Sequence, residues 1–204
     1  MPALTLYVDN NFISPYAMAC FVTLVEKNLP FDLQVLDIDD GQHLQPPFRD
    51  LAMTGRIPML VHGDVMLNES SAIIEYLEEA FPDSSRVLPS DIVERAHARE
   101  IQAWIRSDLL TLRAERSTVA VFIEPSKEPL SAAGQAAADR LIRIADRLIK
   151  GENLFSQWTI ADTDLALMLN RLVHNGDPVP EHIAAYAKAQ WQRPSVQQWV
   201  AKRG

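Results

Sequence analysis

Three short stretches hold the residue types that could bind or activate a ligand: Ser14-Pro15, Gly55-Arg56-Ile57-Pro58-Met59-Leu60 and Asn68-Glu69-Ser70-Ser71. Ser followed by Pro is the favoured pair for opening a helix, a hydroxyl at the N-cap and then a residue with no N–H to orphan. A hydroxyl there serves as a cap, or lends a hydrogen bond to an anion at the positive end of the helix. Ile57 to Val61 is an apolar run that a His62-Gly63-Asp64 turn joins to Val65-Met66-Leu67, and the pair predicts a β-hairpin. Pro58 at the head of the first strand cannot donate to a ladder. A cis Ile57–Pro58 bond accounts for it, turning the Ile57 backbone outward. Residues 68–71 are polar caps for an amphipathic helix running to Phe81. An outward backbone beside a helix N-terminus suits a ligand with a peptide bond and a carboxylate.

The single cysteine, Cys20, excludes an internal disulfide framework and metal-binding cysteine pairs. It lies beyond the first turn of the helix that Ser14 opens, between Ala19 and Phe21, which predicts a buried structural thiol. His43 and Arg56 are loop residues with the charge to meet an anion.

These groups need a frame. Leu4 to Val8 reads as an inner strand, and 14–27 as a helix whose buried face carries Ala17, Met18, Phe21, Leu24 and Val25. Asn28-Leu29-Pro30 stops that helix. Phe31, Leu33 and Val35 alternate with polar residues in a second strand, giving a right-handed βαβ unit. After an irregular stretch with one helical turn expected at 48–53, the hairpin and its helix follow. The order β-α-β-(α)-β-β-α predicts a thioredoxin-like domain over 1–81. A polar, proline-bearing linker spans 82–90, and strand signals then vanish. Helices are predicted from Asp91 to about Arg116, from Ser131 to Gly151, from Thr159 to Gly176, and around 181–191 and 195–202, an all-helical domain over 91–204. Thr159-Ile160-Ala161-Asp162 is a capping-box-like start with Asp in place of the usual Glu or Gln.

A chain of 204 residues that is 48% hydrophobic has enough apolar surface for a sizeable core. Its net charge of −8 disfavours nucleic acid and anionic membranes as partners. The first 81 residues carry 12 acidic and 3 basic side chains, whereas the rest carry 15 and 16. Segments so differently charged could attract each other across an interface, within the chain or between subunits. No leader with a basic start and apolar core is visible, and no apolar run reaches the ~18 residues of a membrane span. Cytoplasm is the expectation.

The pattern Gly-x-Ile-Pro-x-Leu followed by Glu-Ser-x-Ala-Ile-x-x-Tyr-Leu resembles the glutathione-holding half of the glutathione S-transferases. The Thr-x-x-Asp start at 159 resembles the capping motif of that family's core helix, so the likeness covers essentially the whole chain. It is closest to bacterial serine-type members that open with a Ser-Pro-Tyr element. A maleylacetoacetate isomerase, by contrast, shows a Ser-Ser-Cys run where this chain has Ile13-Ser14-Pro15-Tyr16.

The resemblance implies that Ser14 is the catalytic residue, hydrogen-bonding the glutathione sulfur; the bland alternative is a cap. A cysteine-like thiol has a pKa of about 8.5, and the thiolate is the nucleophile, so stabilising the anion is the chemical task. Glu69 would face the ligand's α-amino group, Ser70 and the helix N–H groups its γ-glutamyl carboxylate, Ile57 its cysteinyl unit, and His43, with Arg56 behind it, the glycyl carboxylate. Each of these also has an ordinary structural explanation. The second substrate is expected between Ser14 and the helix from Asp91, near Trp104, Ser107 and Leu110. The implied activity is transfer of glutathione, as co-substrate and without a metal, to a small electrophile, a peroxide or a disulfide. That would serve detoxification or oxidative stress. The alternatives are a peroxidase or disulfide reductase as main activity, or a non-catalytic regulatory relative. A homodimer is expected, with Arg95, Arg99, Arg106, Arg113 and Arg116 facing the partner's acidic domain.

Overall fold

Leu4, Leu6 and Val8 alternate inward along β1 (Leu4–Asp9), each at most 4% exposed, so the strand must sit inside a sheet. In the computed structural model, which describes residues 3–203, it pairs on one side with parallel β2 (Phe31–Leu36). On the other side it pairs with antiparallel β3 (Met59–His62), and β3 with β4 (Val65–Asn68). The order is β2-β1-β3-β4. His62 pairs directly with Val65, so the hairpin turn is two residues, Gly63-Asp64, and not three. Gly63 has a φ of 60°, as such tight turns require.

α1 (Pro15–Glu26) crosses from β1 to β2, burying a continuous face from Ala17 to Leu24. α2 (Phe48–Leu51) is one turn, and α3 (Ser70–Ala80) packs Ile73, Ile74 and Leu77 inward. A buried ion pair fixes α3 to α1. Lys27, the C-cap of α1, donates to Glu78 Oε1 at 2.9 Å and to the Ser85 carbonyl at 3.1 Å. The same Glu78 oxygen accepts the Val87 N–H. This first unit holds the residues up to Val87 and also those from Gln198 onward. Trp199, fully buried, packs edge-on to Phe12 and against Phe21.

The second unit, Leu88–Gln197, is helical. Its elements are α4 (Ile92–Ser107), α5 (Leu110–Glu115), α6 (Thr118–Phe122), α7 (Ala132–Leu148), α8 (Ile160–Val173), α9 (Glu181–Trp191) and most of α10 (Pro194–Val200). The single helix predicted from Asp91 is broken at Asp108-Leu109. Asp108 caps α4 and accepts the Leu109 N–H at 2.7 Å, and Arg140 of α7 grips the same carboxylate. Leu109 then takes a φ of 60°, which no helix continues through. α6, capped by Ser117, was not predicted.

α8 forms the middle of this unit, with Leu165, Met168, Leu169 and Leu172 buried among α4, α7 and α9. Its capping box is built: Asp162 accepts the N–H and hydroxyl of Thr159, and also the Leu154 N–H and the Tyr186 hydroxyl. Burial raises the Asp162 carboxyl, and burial beside that carboxylate drives the Tyr186 phenol well up.

Candidate functional site

Pairing directions decide where the candidate residues meet. β1 and β2 end at Asp9 and Leu36; antiparallel β3 begins there, Met59 opposite Tyr7, and β4 ends there, Asn68 opposite Met59. Ser14 follows β1, His43 follows β2, Ile57 precedes β3, and Glu69 and Ser70 follow β4. Five residues far apart in sequence therefore gather at one end of one sheet.

Ser14 is the N-cap of α1, half-buried, its Oγ accepting the Ala17 N–H at 3.2 Å. Accepting that bond leaves the hydroxyl proton to be donated elsewhere. The loop before it is held from both flanks. Asn10 donates to Asp37 and Asn11 to Asp39, beyond β2. Asp9, 6% exposed, accepts the Ile13 N–H at 2.8 Å and the Ser14 N–H at 3.4 Å. Burial raises the Asp9 carboxyl, against the pull of those backbone donors.

The Ile57–Pro58 bond is cis. Asn68 Nδ2 donates to the carbonyl of Arg56 at 2.9 Å and to that of Pro58 at 3.4 Å, pinning the chain on either side of Ile57. Among the described residues, Ile57's own N–H and C=O form no hydrogen bond within the chain. Its side chain rests on the cluster of Phe48, Ala52 and Met59.

Glu69 is exposed and makes no side-chain cap, contrary to a capping role, and it holds φ 69°, ψ 115°. That is outside the ordinary left-handed well and costs on the order of 1–3 kcal/mol. It delivers Ser70, 4% exposed, to the first position of an eleven-residue helix. The first-turn N–H groups of α3 have no intrahelical acceptor. His43 lies in a short 3₁₀ turn, Gln42–Leu44, half-buried, and its Nδ1 is buried with no partner among the described residues. Arg56 is exposed and forms no ion pair among them.

Cys20 is fully buried, as expected, with Sγ 3.9 Å from the Ser70 carbonyl, directly beneath the start of α3. In the second unit, Trp104 donates to Asp108, Ser107 bonds back to Ala103 and Leu110 is 67% exposed. Of the arginines expected at a partner's surface, Arg95, Arg106, Arg113 and Arg116 have partners inside that unit. Arg95 bonds Pro89, Arg113 bonds the Arg106 carbonyl, Arg106 pairs with Asp164, and Arg116, 2% exposed, grips Asp177 at 2.6 and 2.9 Å.

Asp9 and Asn68 are the functional-end residues that sequence reasoning missed. Each acts through backbone groups that only the folded chain brings near it. A cleft of about 730 Å³ lined by Leu4, Leu29, Phe31 and Phe81 lies at the opposite end of the sheet and contains none of these residues. No group of three or more potential metal ligands occurs, and no helix is long and apolar enough to cross a membrane, among the described residues.

Two domain families match the chain: the glutathione S-transferase N-terminal domain over residues 13–80 and the C-terminal domain over residues 91–203. The crystal structure of a glutathione transferase homologue from Burkholderia gl BGR1, with bound glutathione, is 42% identical. It superposes with a TM-score of 0.80 over 98% of this chain and 97% of that one. Glutathione S-transferase 3 of Zea mays is 29% identical over 93% of this chain and 90% of its own length. Glutathione S-transferase 1 of Dianthus caryophyllus is 42% identical, but over 41% of this chain and 38% of its own length.

Proposed function

Since the chain belongs to the glutathione S-transferase family, we propose that it is a serine-type member in which Ser14 stabilises the glutathione thiolate for attack on an electrophile or a peroxide. One observation carries this reading: Ser14 Oγ caps α1 while keeping its proton to donate, at the sheet end where α3 begins and where Ile57 leaves its N–H and C=O unpaired among the described residues. The thiol proton leaves to solvent. The Ser14 hydroxyl then donates to the sulfur anion, and the α1 dipole adds to its stabilisation. In conjugation the thiolate forms a C–S bond as the electrophile's leaving group departs with its electron pair. With a peroxide it attacks oxygen, the O–O bond breaks to release an alcohol, and a second glutathione closes the disulfide and releases water.

The rest of the tripeptide has matching groups. Ile57's free N–H and C=O suit the cysteinyl peptide unit. Ser70 and the first-turn N–H groups of α3 suit the γ-glutamyl carboxylate. Exposed Glu69 suits the α-amino group, and the unpartnered His43 Nδ1 suits the glycyl carboxylate. Glutathione bound to the 42%-identical Burkholderia homologue supports the ligand. Cys20, fully buried against Ser70, is unsuited to thiol–disulfide exchange. The proposal includes a cytoplasmic homodimer with two-fold symmetry, which sedimentation at low and high salt tests.

The decisive experiment is ultraviolet titration of bound glutathione in Ser14→Ala together with steady-state turnover on an electrophile and a peroxide. The thiol pKa rises and turnover drops while glutathione still binds. An unmoved titration curve with unmoved turnover leaves Ser14 as a cap and nothing more.

A further inference from the structure

The chain leaves β1 at Asp9 and must enter α1 at Pro15, a reversal made without a glycine. Its one closing backbone bond, Phe12 N–H to the Asp9 carbonyl, is long at 3.3 Å. Phe12 sits at φ 51°, a left-handed conformation that a bulky aromatic does not adopt unaided. Restraints from outside the loop backbone hold it there. On the inner side the two Asp9 oxygens are divided between consecutive amides, Oδ2 accepting from Ile13 and Oδ1 from Ser14. On the outer side the Phe12 ring meets buried Trp199 edge-on at 5.2 Å, and Arg203 Nε donates to the Asn11 carbonyl at 3.3 Å.

We infer that Asp9 is a positioning residue for Ser14: its carboxylate, braced by the C-terminal segment from Trp199 to Arg203, holds the loop so that the Ser14 hydroxyl points where the sulfur must lie. The inference rests on the reading of Ser14 given above. Asp9 acts through backbone alone. Each of its oxygens accepts one amide N–H of the loop, and the residue is only 6% exposed, so its contacts are with the loop backbone that leads into Ser14. Its bond to the Ser14 N–H fixes the extended N-cap backbone, φ −70° and ψ 117°, from which the Oγ reaches Ala17. A hydroxyl displaced by about 1 Å loses on the order of 10²-fold in rate when it acts by geometry. Partial loosening costs less.

Asp9→Asn tests this, because it keeps shape and replaces one acceptor with an amide that faces a donor N–H. We expect kcat to fall about tenfold, the KM for glutathione to stay within about twofold, and the bound-thiol pKa to rise. In a Ser14→Ala background the same substitution should remove nothing further. An equal loss in both backgrounds, or an unchanged kcat, overturns the inference while leaving Ser14's role intact. If Ser14→Ala is itself without effect, the reading of Ser14 fails and the inference falls with it. Should Asp9→Asn not fold, Phe12→Gly loosens the same loop from its outer side, since glycine holds the left-handed φ without strain and removes the ring from Trp199. A smaller drop in kcat, about threefold, with unchanged KM supports the clamp, and wild-type kcat refutes it.

Discussion

Asp162 and Glu69 begin helices in the two units, and they are opposites. Asp162 is fully buried, and its two oxygens accept four hydrogen bonds. Glu69 is exposed, caps nothing and sits in a costly backbone conformation. Arg116 and Ile57 repeat the contrast: one buried guanidinium donating to both Asp177 oxygens and to the Glu115 and Glu128 carbonyls, and one backbone unit with both groups open among the described residues. Departures from local consistency in a natural chain concentrate where a ligand supplies the missing partner. Around Asp162 and Arg116 the second unit spends its polar groups on itself; Glu69 and Ile57 keep theirs available.

The sharpest way to break that contrast is to damage the satisfied side. Asp162→Ala leaves the Leu154 and Thr159 amides and the Tyr186 hydroxyl without their acceptor. We expect a loss of about 3 kcal/mol or more in denaturant unfolding, with glutathione affinity unchanged in the protein that remains folded. A loss below about 1 kcal/mol means the box is ornamental. Asp162→Asn adds a pH check. Burial raises this carboxyl above 3.8 in the folded state, so its contribution is fullest below 3.8 and declines as pH rises through the raised value. The asparagine variant lacks that decline, so its deficit against wild type should narrow as pH rises through that window.

On the open side, Ser14→Ala should show the reverse pattern. Turnover falls on the order of 10²-fold, roughly 2.7 kcal/mol in the barrier. Stability falls by about 1 kcal/mol for the lost cap. A variant that loses stability in proportion to activity would make Ser14 a structural residue like Asp162.

Both elements were legible in sequence for the same reason. A helix start is written in four consecutive residues, so Ser14-Pro15 and Thr159 to Asp162 announce themselves. The apolar alternation of residues 4–8 and the hairpin at 57–67 are equally local. What the sequence hides is long-range. Asp9 reads as a loop acid until Ile13 and Ser14 turn back onto it, and Asn68 as a cap until the hairpin puts Arg56 and Pro58 beside it. The break at Asp108 is held by Arg140, 32 residues away. Arg116 looks like surface charge on a helical pattern, yet tertiary packing buries it against Asp177.

Glu69→Gly sharpens the comparison within a single residue. Glycine adopts a positive φ without penalty, so stability should hold or rise by up to about 1 kcal/mol. Glutathione affinity should fall about tenfold with the lost carboxylate, measured by calorimetry. Gain of stability with loss of binding is the signature of strain kept for a ligand. If stability falls instead, the conformation is not strained in this fold.

The smallest effect expected is at Cys20, which stands between the two kinds of region. It is as buried as Asp162, yet its Sγ approaches the carbonyl of Ser70, at the open end of α3. A thiol–carbonyl contact at 3.9 Å is weak, because S–H is a poor donor, so removing it should barely shift α3. Cys20→Ala empties only the volume of a sulfur atom, for which about 1 kcal/mol of stability is a fair measure. Turnover and glutathione affinity should each stay within about threefold of wild type, because the groups that hold the ligand are the α3 amides and not the thiol beneath them. Stability and activity must be read on the same preparation. A large loss of activity with an unchanged Tm would give the thiol a chemical part, and exchange through cysteine would then displace the serine reading. A parallel loss of both would instead extend the satisfied, structural kind of polar group up to the floor of the site.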